Sequence, residues 1–192
     1  MKLFIEESKK EKKATIFVYH PSAYTQNYCF DTKPSIVLST KQFLEYQDQL
    51  PTGVEYTVIP LLLSEGYFYK KLVKESKLKI EKPLLTTEED INRLISLCRK
   101  EGCKNIWVLH PNGFTSLKEK LMEKLPGVDE VKNVEEELVF HKEGKTHVVI
   151  LLMSEGQHYH DLMNQIPAHV SVSKILPLEE KIKEWIEKKE EN

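Results

Sequence analysis

Three cysteines in 192 residues are too few, and odd in number, for a disulfide framework. Cys98 and Cys103 do not form a C-x-x-C pair, so neither a redox motif nor a zinc ribbon is expected. With no export segment visible, reduced thiols and a cytoplasmic location are the expectation. Long apolar runs are missing. The longest, residues 148–153, has six residues, against roughly 20 for a membrane-spanning helix. An excess of one charge is missing too. With 28 basic and 30 acidic residues the net charge is −2, which argues against a dedicated nucleic-acid binder. Lysine is mixed with glutamate along the chain, the pattern of solvated helix faces. Seven Gly and nine Pro exclude a collagen-like chain or a Pro/Gly-rich disordered one. Neither GxxxxGK[ST] nor GxGxxG occurs, so no nucleotide is called for. A Gly-x-Ser-x-Gly elbow, the mark of many α/β hydrolases, is also lacking.

What remains is a globular composition, 40% hydrophobic and 30% charged, long enough for one domain or two small ones. Sliding the chain by 90 positions aligns it with itself. The segment IFVYHPSAYT from Ile16 lies on IWVLHPNGFT from Ile106, with five of ten positions identical. At the same offset LLLSEGYFYKKL from Leu61 lies on LLMSEGQHYHDL from Leu151, with seven of twelve identical. A shared offset means the spacing between blocks is preserved in each copy.

The expected elements follow the same plan. Residues 15–19 and 105–109 read as buried strands, and the apolar runs 56–62 and 146–152 as parallel strands covered on both faces. Gly66 and Gly156 suit strand-to-helix turns, with Ser64 and Ser154 as candidate caps. Residues 35–39, 77–81, 128–134 and 169–173 read as further strands. Helices are expected over 40–50 and 115–125, after the capping box Thr87–Asp90, and from Pro177 onward. Residues 25–33 read as a loop and 135–142 as at most a short helix. The expected fold is α/β, two pseudo-symmetric small Rossmann-like halves with mostly parallel sheets. The halves are 1–86 and 87–192, the second carrying the histidine site, with a terminal helix at 178–190 placed to pack on the first half. Ligands of open sheets bind beyond the C-terminal ends of the strands, where His20, His110, Gly66 and Gly156 fall.

Six of the seven histidines follow residue 100. His110 ends a strand; His158 and His160 follow the Ser-Glu-Gly turn. Two histidines at the ends of two strands of one sheet can converge, and neutral imidazole is the commonest protein ligand for borderline metals. His158 and His160 are two apart, so they do not share a helix face. His141 and His147, beside a Gly turn, read as surface residues, and His169 as a strand residue. The first half keeps His20 but has Phe68 and Lys70 where the second has His158 and His160. One asymmetric site is therefore expected. Tyr67, Phe68 and other aromatics of the first half read either as core or as a flat wall for a planar ligand.

These motifs resemble the class II tetrapyrrole metal chelatases, the anaerobic cobaltochelatase and sirohydrochlorin chelatases. The residues that carry the resemblance are His110 ending a strand, the apolar run 148–153 leading into Gly156-Gln157-His158, Asp161, and Lys82-Pro83-Leu84-Leu85 joining the halves. The resemblance implies a lyase-class enzyme of cobalamin-type biosynthesis that inserts cobalt, iron or nickel into a sirohydrochlorin-type ring. The divalent metal is then a substrate, and no tightly bound cofactor is needed. His110 and His158 would bind the metal, with an acidic ligand among Glu130, Glu135, Glu136 and Glu137, of which Glu135 is the best placed. His110, His158 and Glu155 would be the catalytic groups. His20, Tyr67, Phe68, Asn112, Gly113 and His160 would contact the macrocycle, and helix N-termini with Lys70 and Lys71 would hold its carboxylates. The expected partners are the tetrapyrrole and the metal, not nucleic acid or membrane, with a small homo-oligomer as the default assembly. The alternative is a tetrapyrrole or metal carrier on the same scaffold, without turnover.

Overall fold

The structure, a computed structural model, describes residues 1–19, 34–124, 127–140, 144–152 and 156–174, without the side chains of 112–116 and of Lys174. The expected loop at 25–33, the terminal helix at 178–190, and His20, His141, Ser154 and Glu155 lie outside the described residues. Among the described residues the chain forms six α-helices and two parallel sheets. No helix among them is long and apolar enough to cross a membrane.

Helix α1 (Lys2–Glu11) leads into strand β1 (Lys13–Tyr19). Next come β2 (Ser35–Ser39), α2 (Thr40–Tyr46) with a single 3₁₀ turn after it, β3 (Glu55–Pro60) and α3 (Tyr67–Glu75). Helix α4 (Glu88–Cys98) introduces the second sheet. There β4 (Lys104–Leu109), α5 (Pro111–Met122), β5 (Glu130–Asn133), β6 (Thr146–Leu151), α6 (Gln157–Gln165) and β7 (Ser171–Lys174) follow in turn. The first sheet has the order β2-β1-β3 and the second β5-β4-β6-β7, all pairs parallel.

The packing follows from the two-residue period of a strand. In β1, Ile16 and Val18 face a cluster with Phe4, Phe43 and Leu72 from α1, α2 and α3. Phe17, between them, faces the opposite way into a cluster with Leu94 and Trp107. In β4 and β6, Ile106, Val108, Val148 and Ile150 face Tyr159 and Leu162 of α6. Trp107, Leu109, Val149 and Leu151 join the cluster that holds Phe17. The two sheets thus turn one face outward to their own helices and the other toward a common core. Helices α4 and α5 fill that core with Ile91, Leu94, Ile95, Leu117 and Leu121. The joining segment is fastened there as well: Leu84 and Leu85 are buried, and their N–H groups donate to the carbonyls of Leu62 and Leu63. Buried polar atoms in this core are paired; the indole N–H of Trp107 donates to the Gly127 carbonyl at 2.9 Å.

Local chemistry sets the helix ends. Thr87 and Asp90 form the expected reciprocal capping box, and Ser39 and Gln42 form a second one at α2. Helix α5 begins at Pro111, four residues before the expected 115, because proline suits the first helical position. At α3 and α6 the caps are Gly66 and Gly156, not the serine expected at Ser64, and both have extended backbones with no side-chain cap.

One further expectation is corrected. Residues 77–81 form no strand but a single bridge from Ile80 to Val58. The Ser76 hydroxyl bonds to both N–H and C=O of Leu78, which bends the chain away from a ladder. Helix α1 gave little periodic signal because only Phe4 and Ser8 are buried along it. Residues 135–140 form no helix, within the expectation of at most a short one, and Leu138 and Phe140 pack against the outer core of the second sheet.

Since both sheets share one core, Leu94→Ala should destabilise the molecule by ~2–5 kcal/mol, the usual range for a buried leucine. Urea unfolding followed by tryptophan fluorescence and by circular dichroism should remain one coincident transition. Separate transitions for the two probes would contradict a shared core.

Candidate functional site

The order β5-β4-β6-β7 contains a reversal. From β4 the chain moves to one side to make β5, then returns to the other side of β4 to make β6. The crevice between the C-terminal ends of β4 and β6 is therefore the switch point, where open α/β sheets bind ligands. Register pairs Leu109 with Leu151, so the chain leaves both strands side by side. His110 is the first residue after β4, and His158 is the second residue of α6.

The two imidazoles meet there. Their ring centroids lie 5.2 Å apart with the planes at 81°. Two imidazoles sharing one ion at ~2.1 Å per bond in near-tetrahedral geometry would place their centroids about 5 Å apart. Both residues are half-buried, reachable from solvent yet backed by the sheet. His160 lies on the next part of the same helix, stacked edge-to-face on Tyr159 at 5.4 Å with its Nε2 buried. Tyr159 faces the core. The Gly156 carbonyl accepts from the N–H groups of Tyr159 and His160, which fixes the first turn and hence the direction of His158.

The acidic candidates separate by position. Glu130 opens β5 at the opposite edge of the sheet, where hydrogen bonding to Lys104 holds its carboxyl below the usual range. Glu136 accepts from the Asn133 N–H and pairs with Lys132. Glu135 follows Val134, whose N–H donates to the Leu109 carbonyl, so it stands at the histidine edge, with an exposed side chain. Among the described residues, however, no group of three His, Cys, Asp or Glu side chains is placed to hold a metal, so Glu135 does not complete a triad with the histidine pair. Asp161 is exposed and held by Gln157 at 2.6 Å.

In the first sheet, Tyr67 and Phe68 occupy the first turn of α3, in edge-to-face contact at 5.5 Å. Tyr67 is exposed at 63%, so it is surface and not core. Lys70 and Lys71 are exposed on the same helix. Asn112 and Gly113 lie in the first turn of α5.

Two histidines depart from expectation. His169 is an exposed turn residue just before β7, not part of the strand. His147, expected at the surface, is buried within β6. Its Nε2 stands 2.9 Å from the Cys98 carbonyl and 3.0 Å from the Ser173 hydroxyl, and its Nδ1 2.9 Å from the Ser171 hydroxyl. A carbonyl can only accept, so Nε2 carries the proton of the neutral ring and Nδ1 accepts from Ser171. The ring thus ties the last turn of α4 to β7 across β6. The position in a strand that alternates with core residues was the available signal, but a neighbouring Gly turn obscured it. Burial pushes the His147 pKa down; the Cys98 hydrogen bond opposes this, while the Lys100 charge adds to it.

Compared with known proteins, the chain matches no family model, no curated protein and no solved structure.

With the folded pKa of His147 below its unfolded value near 6.5, the unfolded chain takes up a proton first as pH falls. This contribution to stability is complete above pH 6.5 and declines below it, toward the folded pKa. Urea midpoints measured from pH 8 to 5 should show this decline in the wild type, superimposed on the other groups. His147→Gln should be less stable at pH 8 and should show a shallower decline between pH 6.5 and 5. An unchanged slope in the variant would show that His147 does not titrate as described.

Proposed function

We propose that the crevice at the ends of β4 and β6 handles a divalent transition metal, and that the protein inserts it into a sirohydrochlorin-type tetrapyrrole. The observation that carries this reading is the approach of His110 and His158 to 5.2 Å at the switch point of the second sheet. Insertion requires the hydrated ion to shed water, the macrocycle to lose two pyrrole protons, and the two to meet face to face. A pair of imidazoles serves the first task by binding borderline metals reversibly, and can accept a proton near neutral pH. Two protein ligands leave positions open for exchange, which suits transfer better than storage. Glu135, on the same edge, and Glu155 are the acidic groups proposed to assist. The ring is proposed to lie between the halves, with Tyr67, Phe68, His20 and His160 toward its face and edge. The contact between α3 and α5 supports that placement by bringing the first half's turn helix against the helix that follows His110.

We also infer that the halves are copies of one unit. Helices α3 and α6 are nine residues each, 90 positions apart, and their glycine caps have φ, ψ of −79°, −168° and −81°, −171°. On this reading the second copy kept the imidazoles and the first became the wall of the site. The competing reading is a carrier that holds metal or tetrapyrrole without turnover.

Anaerobic incubation with sirohydrochlorin and Co²⁺, followed by absorbance of the metallated product, tests the proposal. The wild type should accelerate insertion over the uncatalysed rate, and His110→Ala and His158→Ala should each lower the rate by ~10²-fold or more. His158→Ala turning over at the wild-type rate would sink the catalytic role of the pair. Tight binding of either substrate without product would establish the carrier instead.

A further inference from the structure

A second cleft lies at the opposite edge of the second sheet, where β4, β6 and β7 begin. Its volume is about 430 Å³, within the range of small-ligand sites. Lys100, Cys103, Lys145, Thr146, His169 and Ser171 line it, and among the described residues no acidic side chain does. Lys100 and Lys145 are exposed, and among the described residues neither they nor His169 form an ion pair.

This is unusual for the edge on which it sits. The other cations nearby are neutralised: Arg99 pairs with Glu101 at 3.3 Å, and Lys104 with Glu130 at 2.5 Å. At the matching edge of the first sheet, Glu55 opens β3 in register with Lys13, where Lys145 precedes β6. Among the described residues, Lys100 and Lys145 on this cleft have no such partner. Lys100 and Lys145 both line the cleft, and a ligand carrying two or more negative charges would be attracted by both. The Ser171 and Thr146 hydroxyls and the His169 imidazole add hydrogen-bonding groups around the same space.

We propose that this cleft is a binding site for a small multivalent oxyanion, a phosphate-bearing or polycarboxylate metabolite held between Lys100 and Lys145. The site is separate from the histidine pair and does not depend on the function assigned to it. It is coupled to the interior through His147, which bonds to Ser171 on the cleft lining and to the Cys98 carbonyl two residues before Lys100. Since the Lys100 charge disfavours protonation of that ring, an anion on Lys100 should make protonation easier.

The test is a ¹H–¹⁵N titration of metal-free protein in EDTA with inorganic pyrophosphate and, separately, with citrate. Ionic strength is held constant with sodium chloride. Saturable shifts are expected in the amides of 100–103, 144–146 and 169–171, and the His147 midpoint should move to higher pH. Lys100→Gln/Lys145→Gln should weaken binding at least tenfold, and Lys100→Glu/Lys145→Glu should abolish it. Circular dichroism should be unchanged in both variants. Saturation by pyrophosphate alone assigns a phosphate ligand, by citrate alone a carboxylate. Shifts that chloride reproduces, shifts from neither anion, or undiminished binding in the folded double variants would overturn the proposal.

Discussion

The arrangement depends on one constraint: the central strands of both sheets bury both faces. A strand of β1, β4 or β6 has no solvent side, so its odd and even residues need two different cores. The even residues are covered locally, by helices that follow in the same half. The odd residues, Phe17, Trp107, Leu109, Val149 and Leu151, are covered only if the two sheets face each other across α4 and α5. Each fully buried side chain of this kind contributes ~1.5–3 kcal/mol, so neither sheet can give up the common core cheaply. The same demand fastens Leu84 and Leu85 into the centre, which makes the joining segment part of the core and not a hinge.

The histidine crevice is a consequence of this packing. Parallel strands place all their C-terminal ends on one edge, and the reversal of strand order opens the edge between β4 and β6. The register that joins Leu109 to Leu151 then brings the next residues together. His110 needs only to be the first residue beyond its strand. His158 needs a helix that starts soon after β6, which the bare glycine cap at Gly156 provides. The opposite edge of the sheet is occupied by turns, among them those at Gly102 and Gly144, whose positive φ values of 69° and 104° suit glycine. These turns surround the cationic cleft. One sheet thus has a histidine pair at one edge and a lysine-lined cleft at the other, with the buried His147 between them.

Much of the fold was legible in advance. β-Branched and aromatic runs located β1, β2, β3, β4 and β6 to within a residue or two, because doubly buried strands are apolar throughout. The capping box at Thr87 and Asp90 is a local signal and held locally. Elements with few buried residues were not legible. Helix α1 buries Phe4 and Ser8 alone, and the segment around Ile80 has strand-like composition but loses its ladder to the Ser76 hydroxyl. Within the site, His110 and His158 could be singled out by their places at the ends of elements. Glu135 stands at the same edge as the histidine pair but joins no ligand group with it.

The sequence by itself determined which residues must leave water, in what alternation, and where two similar blocks recur at a spacing of 90. Those are properties of neighbouring residues, and apolar burial and strand period act on them directly. Tertiary structure alone decided which histidines meet. His110 and His158 are 48 positions apart and touch because two strands pair in one register. His147, eleven positions from His158, is turned instead into the interior, toward a carbonyl that only the packing of α4 against the sheet puts within reach.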